Sequence, residues 1–263
     1  MDNIDNDHES EFIKDNTTTG RMILSIGKKN SGKSFLMMAY LKYVLYHEIY
    51  EAIHFVCPIY NGEQNNSYDF LKTQKHVLIY PHYSEAVSKI VDKSRKTKRT
   101  LFMIDDATSE LLHNNDNMFL HLITTTRHHK GLTLWANVHS CKRILSPAVR
   151  QNVDNMFIYH IPNIKLLNDI YDEYLSLLFD NFKEFKQFYL QTLNEEHSCI
   201  FYSSNIKGID SHVKHWRICE NQDYKLKPTK APSKPQPKKV NDDKVQHGGV
   251  KISSLFFKMR KRK

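Results

Sequence analysis

Short runs of consecutive apolar residues alternate along this chain with longer segments in which apolar positions recur every three or four residues. Runs at Met22–Ile26, Ala52–Pro58, His76–Tyr80, Thr100–Ile104, Leu132–Val138 and Asn155–His160 are apolar nearly throughout, which predicts strands covered on both faces. Helical spacing follows from Ser34 to about His47, from Ser84 onward and from Ser109 to Thr126. Strands alternating with helices predict an α/β architecture: a mainly parallel sheet with helices on both faces. A long helical pattern from Asn163 to Glu195 carries an aromatic stripe (Tyr171, Tyr174, Phe179, Phe182, Phe185, Phe188), read as core. HSCIFYSS (His197–Ser204) and HVKHWRI (His212–Ile218) then read as a closing hairpin at the sheet edge.

Charge divides the chain differently. The net charge is +9, yet 13 Lys or Arg against two acids from Lys225 to Lys263 leave 25 basic and 27 acidic residues before them. The body, residues 21–224, is near neutral. Residues 225–263 are rich in Pro and Lys and end in a basic tip behind Leu255, Phe256 and Phe257, which predicts a disordered linker and tail. Such a tip suits an acidic protein surface, nucleic acid, an anionic membrane or a nuclear address, against the alternative of a solvated tail that aids solubility. Residues 1–20 read as a disordered acidic leader, the wrong chemistry for a secretory signal. No apolar run is long enough to span a bilayer. Cys57, Cys141, Cys199 and Cys219 make no C-x-x-C pair and read as reduced thiols.

The chemistry begins between the first strand and the first helix. Gly27, Lys28, Lys29, Asn30, Ser31, Gly32, Lys33 and Ser34 form G-x-x-x-x-G-K-[ST]. Glycines let backbone N–H groups curl around phosphate oxygens, and the helix N-terminus adds a favourable dipole. Lys33 is expected to reach the β- and γ-phosphates of ATP, and Ser34 to ligate Mg²⁺. Lys28 and Lys29 either touch phosphate or stand exposed. The strand Thr100–Ile104 closes on Asp105 and Asp106, a Walker B arrangement. Asp105 is expected to hold Mg²⁺ with Ser34, and Asp106 to polarise the attacking water. Arg127 and His139 bracket the strand Leu132–Val138. His139, at its C-terminal end, reads as a γ-phosphate sensor, against the alternative of a packed strand-end histidine. Arg127 reads as an arginine finger acting on a neighbouring subunit, against that of a helix-end cation. The segment Lys93–Arg99 is a basic loop, read as a candidate for phosphate contacts against the equal alternative of a solvated loop.

In this order, GKKNSGKS, LFMIDD, Arg127–His128 and VRQN (Val149–Asn152) before MFIY resemble the FtsK–HerA superfamily of DNA-pumping ATPases. The likeness is greatest to the viral genome-packaging branch, poxvirus-type and polinton- or virophage-type, and spans Arg21–His160. His139 stands where that family commonly has Gln. The resemblance implies a RecA-like (ASCE) P-loop ATPase using ATP and Mg²⁺, forming a pentameric or hexameric ring around double-stranded DNA. Arg150 is then a second candidate for the trans role. It also implies a capsid or membrane-vertex partner for the tail, and work in a cytoplasmic virus factory, the nucleus or the virion. Two other readings stand beside it: a nucleoside or nucleotide kinase, and a nucleotide-switched binding module.

Overall fold

A computed structural model describes residues 20–58, 66–93, 99–107, 120–127, 131–140, 142, 145–204 and 213–217. The leader, nearly all of the candidate basic loop, most of the helix expected from Ser109, His128, Cys141, Cys219 and the tail lie outside the described residues.

Eight strands form one sheet. They are β1 (Met22–Ile26), β2 (Ala52–Val56), β3 (Val77–Tyr80), β4 (Thr100–Ile104), β5 (Leu132–Val138), β6 (Asn155–Ile158), β7 (Ser198–Ser203) and β8 (Val213–Arg217). Their spatial order is β3-β2-β4-β5-β1-β6-β7-β8. The first six run parallel, and β7 and β8 close the edge antiparallel, as the apolar runs predict. β1, β4 and β5 are buried at every position because helices cover both faces. One face packs Tyr40 and Leu41 of helix α1 (Lys33–Tyr46) against Trp135 and Phe157. The two rings stack with centroids 5.5 Å apart, and the indole donates to Ser25 Oγ at 2.9 Å, so its one polar atom is satisfied inside the core. The other face receives helix α2 (Tyr83–Lys93) and the C-terminal helices.

The predicted long helix is divided. It resolves into α4 (Ile164–Ile170), a π-helical turn (Tyr171–Leu175) and α5 (Phe182–Thr192), with a short α3 (Pro147–Arg150) earlier in the chain. The break has a local cause. Asn181 accepts from Glu184 N at 3.0 Å while Glu184 accepts from Asp180 N at 2.9 Å, a reciprocal cap that starts a new helix. The aromatic stripe packs on the core as expected, with Phe185 fully buried. Tyr189 fixes α5 to the end of β6, donating to Tyr159 O at 3.2 Å and accepting from Ile161 N at 2.5 Å. That anchor sets the α5–β7 loop beside the end of β1. A 3-10 segment, Asn66–Thr73, lies between β2 and β3, where the apolar pattern carries no strand or helix signal.

Candidate active site

The loop Gly27–Ser34 leaves β1 between two parallel neighbours. Gly27 N donates to Val138 O at 3.3 Å and Lys28 N to His160 O at 3.0 Å, so both flanking strands hold its root. A Cβ on Gly27 would stand 2.6 Å from the Tyr159 Cβ, which leaves room only for glycine. Asn30 (φ 60°) and Gly32 (φ 104°) then turn through left-handed backbone and curl the loop over the helix. Helix α1 starts with no side-chain cap and no acid in its first turn, so its N–H groups are offered to an anion. Lys33 is buried, and its Nζ donates to Gly27 O at 3.0 Å and Lys28 O at 2.7 Å. Burial lowers its pKa, opposed by the charges of Asp105 and Asp106. Lys28 and Lys29 are exposed.

The two acids meet this loop through strand register. Ile104 pairs with Ala136, so Asp105 falls level with Asn137, whose Nδ2 donates to Asp105 Oδ1 at 2.8 Å. Ser34 Oγ donates to the same oxygen at 3.1 Å, and the Tyr68 hydroxyl donates to Oδ2 at 2.5 Å. The buried carboxylate is thus fixed by three donors from three elements. A hydroxyl and a carboxylate side by side are the hard oxygen donors Mg²⁺ takes, so Ser34 and Asp105 fit a bound Mg²⁺. Asp106 turns out at φ 53°, and its pKa is raised by burial and then by Asp105, countered by His139, Lys33 and Lys29. His139 lies 2.9 Å through Nδ1 from Gly27 O; a carbonyl only accepts, so Nδ1 carries the proton in that contact. The structure therefore assembles Lys33, Ser34, Asp105, Asp106 and His139 at one end of β1, β4 and β5.

No family model matches the chain. It is 24% identical over 227 residues to "Uncharacterized protein 075L" of Invertebrate iridescent virus 6, covering 82% of this chain and 83% of that protein. A second relative, "Uncharacterized protein 088R" of Invertebrate iridescent virus 3, is 24% identical over 230 residues, 79% of this chain and 85% of its own. Among solved structures, the genome packaging NTPase B204 from Sulfolobus turreted icosahedral virus 2, in complex with ATP-gammaS, superposes with TM-score 0.55. Its identity is 18%, over 76% of this chain and 97% of that one. The chain shares the fold of that NTPase. The pCW3 conjugation coupling protein TcpA is similar too, with TM-score 0.54 and 16% identity over 76% of this chain and 60% of that one. The fold thus agrees with the FtsK–HerA resemblance read from the motifs, and its RecA-like strand order places β5 between the P-loop strand and the Walker B strand.

The two arginines stand elsewhere. Arg127 is 6% exposed and donates to Asn152 O at 2.6 Å and to Asp154 Oδ2 at 2.7 Å. Asp154 also accepts from Met22 N at 2.6 Å, at the start of β1, whereas the P-loop leaves its other end. In this conformation the expected finger Arg127 is engaged within its own subunit as a buried clamp, paired with Asp154 at the end of β1 opposite the P-loop. Arg150 pairs through Nε with Glu173 at 3.1 Å and donates to Leu145 O at 2.9 Å, so it is also engaged within its own subunit. The Arg127 and Arg150-x-Asn152 motifs meet each other rather than the nucleotide loop.

Two residues of the site escape sequence reasoning. Asn137 reads as one more position in a buried strand, and only its polarity inside LTLWANV hints at a partner. Tyr68 sits in a polar stretch with no motif at all.

Proposed function

We propose that this protein is an ATPase that drives double-stranded DNA, filling a viral capsid as a ring-shaped motor. The observation that carries the reading is the joining of Ser34 to Asp105 at 3.1 Å, with Lys33, Asp106 and His139 around them. Backbone N–H groups of residues 28–34 and Lys33 bind the phosphates. Ser34 and Asp105 hold Mg²⁺, which neutralises phosphate charge when bound. Asp106 accepts the proton of the attacking water, and His139 hydrogen-bonds where the terminal phosphate lies. B204 of Sulfolobus turreted icosahedral virus is a DNA-packaging ATPase, which supports a DNA substrate here by analogy of fold. The viral origin of both sequence relatives favours packaging over conjugation. A ring, a capsid or vertex partner for the basic tail, and action in a virus factory, nucleus or virion belong to the same proposal.

The kinase reading fits less well, because such enzymes often place the P-loop and Walker B strands side by side and β5 intervenes here. The test is steady-state ATP hydrolysis with and without double-stranded DNA, against Lys33→Ala. DNA stimulation that the variant loses supports the motor. Hydrolysis indifferent to DNA sinks it and favours a nucleotide-switched module.

A further inference from the structure

One ring nitrogen of His139 is already committed. The residue closes β5, and its Nδ1 lies 2.9 Å from Gly27 O, the first carbonyl of the P-loop. That oxygen only accepts, so Nδ1 is a donor and the neutral ring keeps its lone pair on Nε2. The Lys33 ammonium donates to the same oxygen at 3.0 Å, which puts the two nitrogens within about 6 Å of each other. The ring, only partly buried, is therefore held beside the cation expected to reach the phosphates.

This tautomer has a chemical consequence. A neutral ring pinned through Nδ1 offers only an acceptor at Nε2, and phosphate oxygens are acceptors too. The two repel unless Nε2 gains a proton. With that proton the ring donates from both nitrogens and carries a positive charge, which allows a charge-assisted bond to phosphate. Glutamine, which the resembling family commonly has at this position, needs no such step, because its amide presents a donor and an acceptor together. Histidine changes charge between pH 5 and 8, so the replacement turns a pH-independent contact into one that titrates. The charged groups at this end of the sheet are of both signs. Asp105 and Asp106 follow β4, Lys29 lies in the loop and Lys33 opens α1, and all act with His139 on the Asp106 carboxyl. Lys142, the next cation along the chain, is paired with Asp169. A terminal phosphate entering this set adds negative charge, which favours the protonated ring.

We propose that His139 meets the terminal phosphate as an imidazolium, so that binding a nucleoside triphosphate also takes up a proton. The proton returns to solvent when the phosphate leaves after hydrolysis. The inference rests on the ATPase reading and adds a regulation of that site: falling pH tightens the hold on a triphosphate but not on a diphosphate. Linkage fixes the sign, because a group more fully protonated in the bound state strengthens binding as pH falls. A neutral His139 acting as base on the attacking water would be favoured by rising pH instead.

The test is calorimetric titration of ATPγS and ADP, each with Mg²⁺, into the full chain and into His139→Gln from pH 8 to pH 6, in two buffers of different ionisation heat. Over that range the wild type should gain about tenfold more affinity for ATPγS than the variant does, with extra proton uptake of up to about one per site. ADP should show no such difference, and its unchanged affinity reports an intact P-loop. The nucleotide's own ionisation cancels between wild type and variant. Equal pH dependence in the two proteins overturns the proposal, as does wild-type affinity that rises toward high pH. Proton uptake that persists in His139→Gln and vanishes in Asp106→Asn assigns the proton to Asp106 and overturns it too. A folded variant that loses ADP as well shows His139 holding the loop root through Gly27 instead. For a variant that does not fold, the wild type decides: its proton uptake with ATPγS, corrected for the nucleotides' own ionisation, should exceed that with ADP, and equal uptake overturns the proposal. Failure of the wild type to bind either nucleotide overturns the ATPase reading and this inference with it.

Discussion

The Tyr68 hydroxyl donates a 2.5 Å hydrogen bond to Asp105 Oδ2, joining the 3-10 segment after β2 to the Walker B acid. Burial, followed by the neighbouring Asp105 charge, raises the Tyr68 pKa, so the hydroxyl keeps its proton and remains a donor. Tyr68→Phe keeps the ring packed on Phe55, centroids 4.8 Å apart, and removes the hydroxyl. A hydrogen bond to a charged group contributes about 1.5–3 kcal/mol, so turnover should fall roughly ten- to a hundredfold. Half-saturation by Mg²⁺ should move to higher concentration, and the melting temperature should fall by roughly 3–12 °C. An unshifted Mg²⁺ titration would remove Tyr68 from the site.

Asp106 must be ionised to take a proton from water, and burial with the nearby Asp105 raises its pKa. Hydrolysis should therefore fall as pH drops through a midpoint above the ordinary aspartate value. Asp106→Asn should slow hydrolysis by about 10²- to 10⁴-fold with ATP binding retained. Because His139 favours the ionised form, His139→Gln should shift the acid limb to higher pH wherever the histidine is protonated. A pH–rate profile of kcat for the three proteins checks both; an acid limb that survives in Asp106→Asn assigns it to another group.

Arg127→Ala should act on stability first. The change removes the 2.7 Å ion pair of Asp154, which keeps Arg21 at 3.9 Å and the Met22 N–H at 2.6 Å, so the loss is that of a charge-assisted hydrogen bond, about 1.5–3 kcal/mol. The melting temperature should fall by roughly 3–12 °C for a domain of this size. A true trans finger would instead leave the melting temperature alone and remove about 10³-fold or more of the turnover. Thermal unfolding and kcat measured on the same sample separate the two.

Gly27→Ala pushes a methyl group to 2.6 Å from the Tyr159 Cβ, and neither strand backbone can yield without moving the loop. The strain should be about 1–3 kcal/mol and should appear chiefly as lost nucleotide affinity. Nucleotide titration alongside far-ultraviolet circular dichroism checks this: unchanged affinity with an intact fold would mean that the loop root has slack.

Much of this protein is legible from sequence because its information is local. The phosphate loop occupies eight consecutive residues, Gly27 to Ser34, and the strand before it and helix after it declare themselves by apolar periodicity. β4 announces Asp105 and Asp106 in the same way, and β5 announces His139 at its end. The parallel sheet, the closing hairpin and the aromatic core of the C-terminal helices follow from the same patterns. The division of the long helix was written in Asp180, Asn181 and Glu184, but a local cap is easily hidden beneath a continuous apolar stripe.

What the tertiary structure alone decided is which distant residues meet. Parallel register sets Asn137 beside Asp105, and a segment without periodicity delivers Tyr68 to the same carboxylate. Arg127 carries the charge a finger needs, yet its partner Asp154 lies 27 residues further on, at the end of β1 away from the phosphates. Tyr189 ties α5 to the end of β6, donating to Tyr159 O and accepting from Ile161 N. Sequence periodicity reports which face of an element is buried; it carries no term for the register and crossings that choose a side chain's neighbour, and those depend on packing the whole sheet at once.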